Sequence, residues 1–350
     1  MSRFFSSQYS GLTPYVPGEQ PQGKDYVKLN TNESPFPPSP YAQRLARQAA
    51  GDLELYSDPE CRDLVAVACE KLGVAKEEIL FTNGSDEALN FAFMAFCDDK
   101  TPAVFADITY GFYPVFATLN GVPFETIPLK EDFLLDYKDY LGIQKTIFIA
   151  NPNAPTGKVL PLSEIEEIVK SNPNNVVVVD EAYVDFGGES ALPLTKQYDN
   201  LLVCQTFSKS RSMAGARLGF AVGNSKLIQD LNTIKYSTNP YNVNRMTMAA
   251  GIGALLDTEY FKTNCQTIIS NREETIASLQ KKGFTVLDSK ANFVFAKSNK
   301  LSGKELYEQL KEKGVLVRYF DKDRIRDFVR ITIGSKEQMA ALISALEELL

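Results

Sequence analysis

The chain has 350 residues, 44% of them hydrophobic and 23% charged, enough for a large buried core and two domains, which excludes a small disulfide scaffold and a disordered tail. Lys and Arg number 37 against 44 Asp and Glu, and the resulting net charge of −7 argues against a nucleic-acid binder with its usual basic face. No histidine is present, so Ser/His/Asp and Cys/His catalysis and His-ligated zinc are ruled out, and any proton shuttle must be Lys, Tyr or a carboxylate.

The first ten residues carry one Arg and no apolar targeting core, and no uncharged apolar run approaches the roughly 18 residues a membrane span needs. Past the proline cluster Pro35, Pro37, Pro38 and Pro40, short apolar runs alternate with helical stretches from Glu78 to Gly223: Ile79–Phe81, Ala103–Phe105, Thr146–Ala150, Val176–Val179, Leu201–Gln205 and Arg217–Val222. Several lack period-two alternation, as strands covered on both faces do, which predicts a mostly parallel sheet wrapped by helices. A capping box at Ser163-Glu164-Ile165-Glu166 predicts one of those helices, with Ile168 and Val169 turned inward. Beyond about residue 255 the pattern changes to a long helical stretch, a strand at Asn292–Ala296, a helix from Lys304 to Lys313, a strand at Val329–Ile333 and a helix capped at Ser335-x-x-Gln338, a smaller α+β unit. Cys61, Cys69, Cys97, Cys204 and Cys265 show no C-x-x-C pair, so reduced cytoplasmic thiols are expected, with neither zinc nor disulfides.

Ligands of open parallel sheets bind beyond the carboxyl ends of the strands, and the polar residues that follow the apolar runs are distinctive. They include Asn83-Gly84-Ser85-Asp86, Asn151-Pro152-Asn153-Ala154-Pro155-Thr156-Gly157, Asp180-Glu181-Ala182-Tyr183 and Thr206-Phe207-Ser208-Lys209. Singly, each has an ordinary reading: Gly84 and Ser85 as a turn or a phosphate seat at a helix start, Asp180 as a cap or a site carboxylate, Lys209 as a solvated lysine or a Schiff-base former. Together with Arg217 they place a lysine, a carboxylate, a cation and a phosphate-type helix start on one sheet edge. Pyridoxal phosphate needs that set: an amine for its aldehyde, a carboxylate for its ring nitrogen, donors and a cation for its phosphate.

These residues resemble the fold-type I pyridoxal-phosphate aminotransferases, and within them the histidinol-phosphate aminotransferases. The resemblance rests on Leu29-Asn30-Thr31-Asn32-Glu33-Ser34-Pro35, Tyr56-Ser57-Asp58-Pro59, Asn83-Gly84-Ser85-Asp86-Glu87, Thr109-Tyr110-Gly111-Phe112-Tyr113, Asp180-Glu181-Ala182-Tyr183, Thr206-Phe207-Ser208-Lys209-Ser210, Gly215-Ala216-Arg217-Leu218-Gly219, Pro240-Tyr241-Asn242-Val243-Asn244 and Val329-Arg330-Ile331-Thr332. It implies a seven-stranded, mostly parallel sheet in a large pyridoxal-phosphate domain over residues 51–255, an arm and part of the small domain over 1–50, and a small α+β domain over 256–350. It further implies that Lys209 carries the cofactor, Asp180 meets the ring nitrogen, Tyr183 donates to the phenolic oxygen and Tyr110 stacks on the ring. Gly84, Ser85, Asp86, Thr206, Ser208 and Arg217 would hold the phosphate, with Tyr56 reaching it from the other subunit of a homodimer. Arg330 would clamp the anionic substrate, helped by Arg318, Tyr15 and Asn32.

One position departs from the pattern. Many relatives read Asn-Pro-Thr-Gly where this chain has Ala154-Pro155-Thr156-Gly157, so the bond that asparagine makes to the phenolic oxygen is lost, and Asn153 either replaces it or merely shapes the turn. The implied activity is transamination between histidinol phosphate and 2-oxoglutarate, with no nucleic-acid or membrane partner. An aromatic amino-acid aminotransferase or a threonine-phosphate decarboxylase would share the same cradle. A dinucleotide oxidoreductase is excluded because Gly251-Ile252-Gly253 has Leu256 where the third glycine belongs, and a P-loop hydrolase because Gly157-Lys158 has Pro152 and Val159 at the positions that motif needs.

Overall fold

A computed structural model describes residues 2–20 and 25–350; residues 1 and 21–24 of the expected arm lie outside the described residues. In chain order the strands are β1 (Val27–Lys28), β2 (Ile79–Asn83), β3 (Ala103–Ala106), β4 (Phe124–Ile127), β5 (Thr146–Ala150), β6 (Val177–Asp180), β7 (Leu201–Thr206), β8 (Leu218–Gly223), β9 (Phe284–Val286), β10 (Phe293–Ser298), β11 (Val315–Leu316), β12 (Arg318–Tyr319) and β13 (Phe328–Thr332). Seven of them form one sheet in the order β2-β8-β7-β6-β5-β3-β4. Strands β3 to β7 pair in parallel, whereas β8 runs antiparallel to both β2 and β7. The chain is an α/β protein of the expected kind.

The continuous apolar runs have the predicted cause. Along β6, Val178 packs into a layer with Leu89, Phe93 and Phe148, while Val177 and Val179 pack into the opposite layer with Ile165 and Ile168. Both faces are therefore dry, and alternation has no meaning for such a strand. The edge strand β4 gave no apolar signal because Phe124, Glu125 and Thr126 are exposed. The predicted capping box at Ser163 is not formed: the helix spans Leu162–Ser171 behind an N-cap at Pro161, so Ser163 already lies in its first turn. The box at Ser335 and Gln338 is formed, and a second one, unforeseen, joins Ser302 and Glu305.

The long helix Thr258–Lys281 leads into a four-stranded antiparallel sheet, β12-β13-β10-β9, whose core joins Phe293, Ile331, Leu306 and Leu342. Segment 27–32 stitches the N-terminal region to this unit, through parallel pairing of β1 with β11 and a bond from the Thr332 amide to the Leu29 carbonyl. Gly251 and Gly253 lie inside the helix Arg245–Leu256, where a Cβ would come within 2.5 Å of Leu218 and 2.6 Å of the Ala42 backbone. They permit tight packing of this helix on β8 and on the helix Pro40–Ala49.

Candidate active site

At the carboxyl edge of the large sheet the ends of β2, β5, β6 and β7 converge with the start of β8, which reaches the same edge because it runs backwards. They line a cradle of about 170 Å³ between Ser85, Asp86, Tyr110, Asp180, Tyr183, Thr206, Ser208, Lys209 and Arg217. Helix Ser85–Phe96 begins here, its first-turn amides without intrahelical partners and Gly84 as a cap in the left-handed region at φ 76°. A Cβ on Gly84 would sit 2.5 Å from the Arg217 guanidinium, so glycine is what lets that cation lie over the helix start.

Arg217, itself at φ 55° just before β8, pairs with Asp86 at 3.0 Å and reaches the Ser208 hydroxyl at 3.4 Å. The Ser208 amide in turn donates to Thr206 Oγ1 at 3.1 Å, and the Thr206 hydroxyl donates to Ser208 Oγ at 3.0 Å. Tyr110 donates to the other Asp86 oxygen at 2.7 Å, and its hydroxyl is raised well above the usual tyrosine range by burial and by that carboxylate. Two hydroxyls, one guanidinium and free helix amides thus face a single spot, as a phosphate monoester requires.

Asp180 ends β6 almost wholly buried. Its oxygens accept from the Tyr113 hydroxyl at 3.0 Å and from the Ala182 amide at 3.2 Å. Burial pushes its carboxyl up to about 6, against the pull of those two donors. Tyr113, itself fully buried, is a residue that the sequence reading leaves without a role; it opens the first turn of its helix three residues after Tyr110, and that spacing is its signal in the sequence. Neighbouring Glu181 turns away, pushed to about 7 by burial and held by Ser190, the Ala191 amide and Gln205. Lys209 follows β7, its Nζ 5.8 Å from the Tyr183 ring centre and donating to the Thr31 carbonyl at 3.3 Å.

Tyr183, Lys209 and Tyr110 also border a larger cleft of about 620 Å³ that opens toward the small unit and is walled by Tyr15, Asn32, Arg318, Lys322 and Arg330. Tyr15 stacks on Phe112 with ring centres 4.3 Å apart. Arg318 donates to the Val16 and Pro17 carbonyls, and Arg330 donates to the Asn30 carbonyl at 3.0 Å. Among the described residues neither arginine nor Lys322 has a carboxylate within salt-bridge distance, and Arg330 Nε, buried, has no partner. Burial lowers the proton affinity of Arg330, with the neighbouring Arg318 acting in the same direction.

Of the expected residues, Asn153 and Tyr56 line neither the cradle nor the cleft of their own chain, and Asn32 lines the cleft. Asn153 is absent from the cradle wall: its side chain accepts from Thr109 at 2.8 Å and donates to the Ile108 carbonyl and Thr156, which is the work of a turn. Ala154 does line the cradle. Tyr56, 80% exposed and stacked on Tyr241, borders neither cavity of its own chain. Asn32 borders the cleft, but its amide is spent on Tyr183 and Thr332.

Residues 24–346 match the model of the aminotransferase class I and II family. The chain belongs to that family. It is 49% identical to the histidinol-phosphate aminotransferase of Brachyspira hyodysenteriae, covering 99% of each chain, and 49% identical to that of Aromatoleum aromaticum over the whole of both. Its fold superposes on the crystal structure of histidinol-phosphate aminotransferase from Sinorhizobium meliloti in complex with pyridoxal-5'-phosphate, with a TM-score of 0.91, 25% identity, and coverage of 100% of this chain and 99% of that one. Family members depend on pyridoxal phosphate, and the cradle fits it: an amine, a buried carboxylate and a phosphate seat surround a space floored by Ala150, Ala154 and Ala182.

Proposed function

We infer that the protein is a histidinol-phosphate aminotransferase, exchanging an amino group between histidinol phosphate and 2-oxoglutarate. The observation that carries this reading is the cluster of Arg318, Lys322 and Arg330, without carboxylate partners among the described residues, in a cleft that ends at Lys209. When bound, pyridoxal phosphate supplies an aldehyde carbon for amines and a protonated ring that takes up an electron pair.

The residues divide the remaining work. Thr206, Ser208, Arg217 and the first amides of helix Ser85–Phe96 bind the cofactor phosphate. Asp180, held by Tyr113 and Ala182, keeps a proton on the ring nitrogen, for which its carboxyl must ionise. Tyr110 covers the ring, and Tyr183 meets its hydroxyl group. In a chain without histidine, the Lys209 amine is the base that carries a proton between substrate and cofactor carbons. Arg330 holds the substrate anion, and the arm with Tyr15 narrows the cleft and excludes water.

We also propose that the active form is a homodimer. Leu53, Leu55, Tyr56 and Tyr241 form an exposed apolar group, and Tyr56, idle in its own chain, would complete the neighbour's phosphate seat. Five unpaired cysteines suit a reducing cytoplasm.

The reading is tested with an amino-donor panel against 2-oxoglutarate, comparing histidinol phosphate, phenylalanine, tyrosine and threonine phosphate by kcat/KM. Histidinol phosphate is expected to be the best donor; preference for any other overturns the substrate assignment. Borohydride reduction followed by peptide mapping should place the cofactor on Lys209.

A further inference from the structure

Asn32 sits where segment 27–32, β13 and the loop after β6 meet, almost wholly buried and at φ 57°, a left-handed conformation that few side chains other than Asn and Asp adopt readily. Its backbone amide donates to Thr332 Oγ1 at 3.0 Å. The Thr332 hydroxyl lies 3.0 Å from Asn32 Oδ1, and Asn32 Nδ2 lies 2.9 Å from Tyr183 Oη. The Asn292 amide fixes the backbone further by donating to the Asn32 carbonyl at 2.9 Å.

These contacts determine where the protons lie. The Thr332 hydroxyl accepts from the Asn32 amide and, among the described residues, makes no other hydrogen bond than the one to the Asn32 side chain, so its proton must go to Oδ1. Turning the Asn32 carboxamide over would leave that buried hydroxyl proton without an acceptor. Nδ2 therefore faces Tyr183, and an N–H can only donate. Tyr183 Oη must accept, which leaves its proton free to point away from Asn32 toward the cavities that the residue lines.

We propose that Asn32 is a positioning residue for the cofactor: through the chain Thr332, Asn32, Tyr183 it aims the Tyr183 proton at the ring hydroxyl of pyridoxal phosphate. This rests on the proposed function, and it settles what the cradle otherwise lacks. Ala154 brings no donor to the site, and the Asn153 amide is engaged in its turn. Tyr183 is then the donor that stabilises the ionised ring oxygen, and its effectiveness depends on which way its proton points.

Asn32→Asp tests the relay with little backbone cost, because aspartate tolerates the same φ. The carboxylate would accept from both Thr332 and Tyr183, turning the tyrosine proton away from the cofactor. Affinity for pyridoxal phosphate should fall about tenfold or more, while affinity for 3-deoxypyridoxal 5'-phosphate, which lacks the ring hydroxyl, should stay unchanged. The pH midpoint of the bound cofactor's absorption change should rise, since the ring oxygen loses a donor. Thr332→Val, which frees the carboxamide to turn, should move both readings the same way by less, and Thr332→Ser should restore them; this pair carries the test if N32D fails to fold.

Equal loss of affinity for the two cofactors, or no change with either, would overturn the relay, as would a T332V protein identical to wild type. Wild-type protein that takes up no pyridoxal phosphate would refute the proposed function instead.

Discussion

The cradle and the cleft share a wall but are built on different terms. In the cradle nearly every polar side chain is satisfied by another: Tyr113 and Ala182 hold Asp180, Tyr110 and Arg217 hold Asp86, and Thr206 and Ser208 hold each other. In the cleft Arg318 and Arg330 rest on backbone carbonyls and the faces of Phe293 and Phe320, with no carboxylate partner among the described residues, and one guanidinium nitrogen has no partner. A self-satisfied network specifies one geometry. Cations without a carboxylate stay available to any anion of suitable shape. The chemistry is thus fixed in the first region, while the second decides what is admitted.

Substitutions at four positions would break or sharpen that contrast. The largest effect belongs to the cradle: Lys209→Ala should lower transamination by about 10⁴-fold while leaving the fold intact by circular dichroism; retained turnover would put the chemistry elsewhere. Next comes Arg330→Ala, which should reduce kcat/KM for both the phosphorylated amine and 2-oxoglutarate by about 10²-fold, with Arg330→Lys rescuing little, because an ammonium cannot grip two oxygens at once. Unchanged kinetics for either substrate would remove it from a shared anion site.

The third concerns Asp180 in cofactor-free protein. Its carboxyl is pushed up to about 6 in the fold, so between about pH 4 and 6 the folded state holds a proton that the unfolded state, near 3.9, releases. The burial penalty thus grows as pH rises through that window and is complete above it. Asp180→Asn should therefore gain stability over wild type by up to ~3 kcal/mol on going from pH 4 to 7, read by denaturant unfolding at each pH. A difference that does not grow with pH would deny the buried carboxylate its cost. Smallest is Arg318→Ala, at the exposed rim, which should raise KM by about tenfold with little change in kcat.

The same contrast explains what was legible in the sequence. The large sheet could be read because strands covered on both faces leave unbroken apolar runs, such as Thr146–Ala150 and Val176–Val179. Strand β4 could not, since an edge strand with Glu125 and Thr126 in solvent carries no such signature. The cradle was legible where its residues sit at the ends of strands: Lys209 after β7, Asp180 at the end of β6 and Arg217 just before β8 needed only topology to meet. Tyr113 and Thr332 escaped assignment because their tasks arise from side-chain hydrogen bonds within the folded core, and no spacing rule announces a second hydroxyl behind a carboxylate. Asn153 shows the converse: the right residue type lay next to a gap in the pattern, yet the turn that it braces had first claim on its amide.

The reversed direction of β8 has one more outcome. A strand parallel to its neighbours would deliver its last residue to the chemical rim; this one delivers its first, so Arg217 arrives from a short left-handed turn while Gly223 exits on the far side. The far rim, where the chain passes through Gly223 into Asn224, lies the whole length of the strand away from that cation. The six-residue strand separates the two ends, and its antiparallel ladders to β2 and β7 hold the register between them.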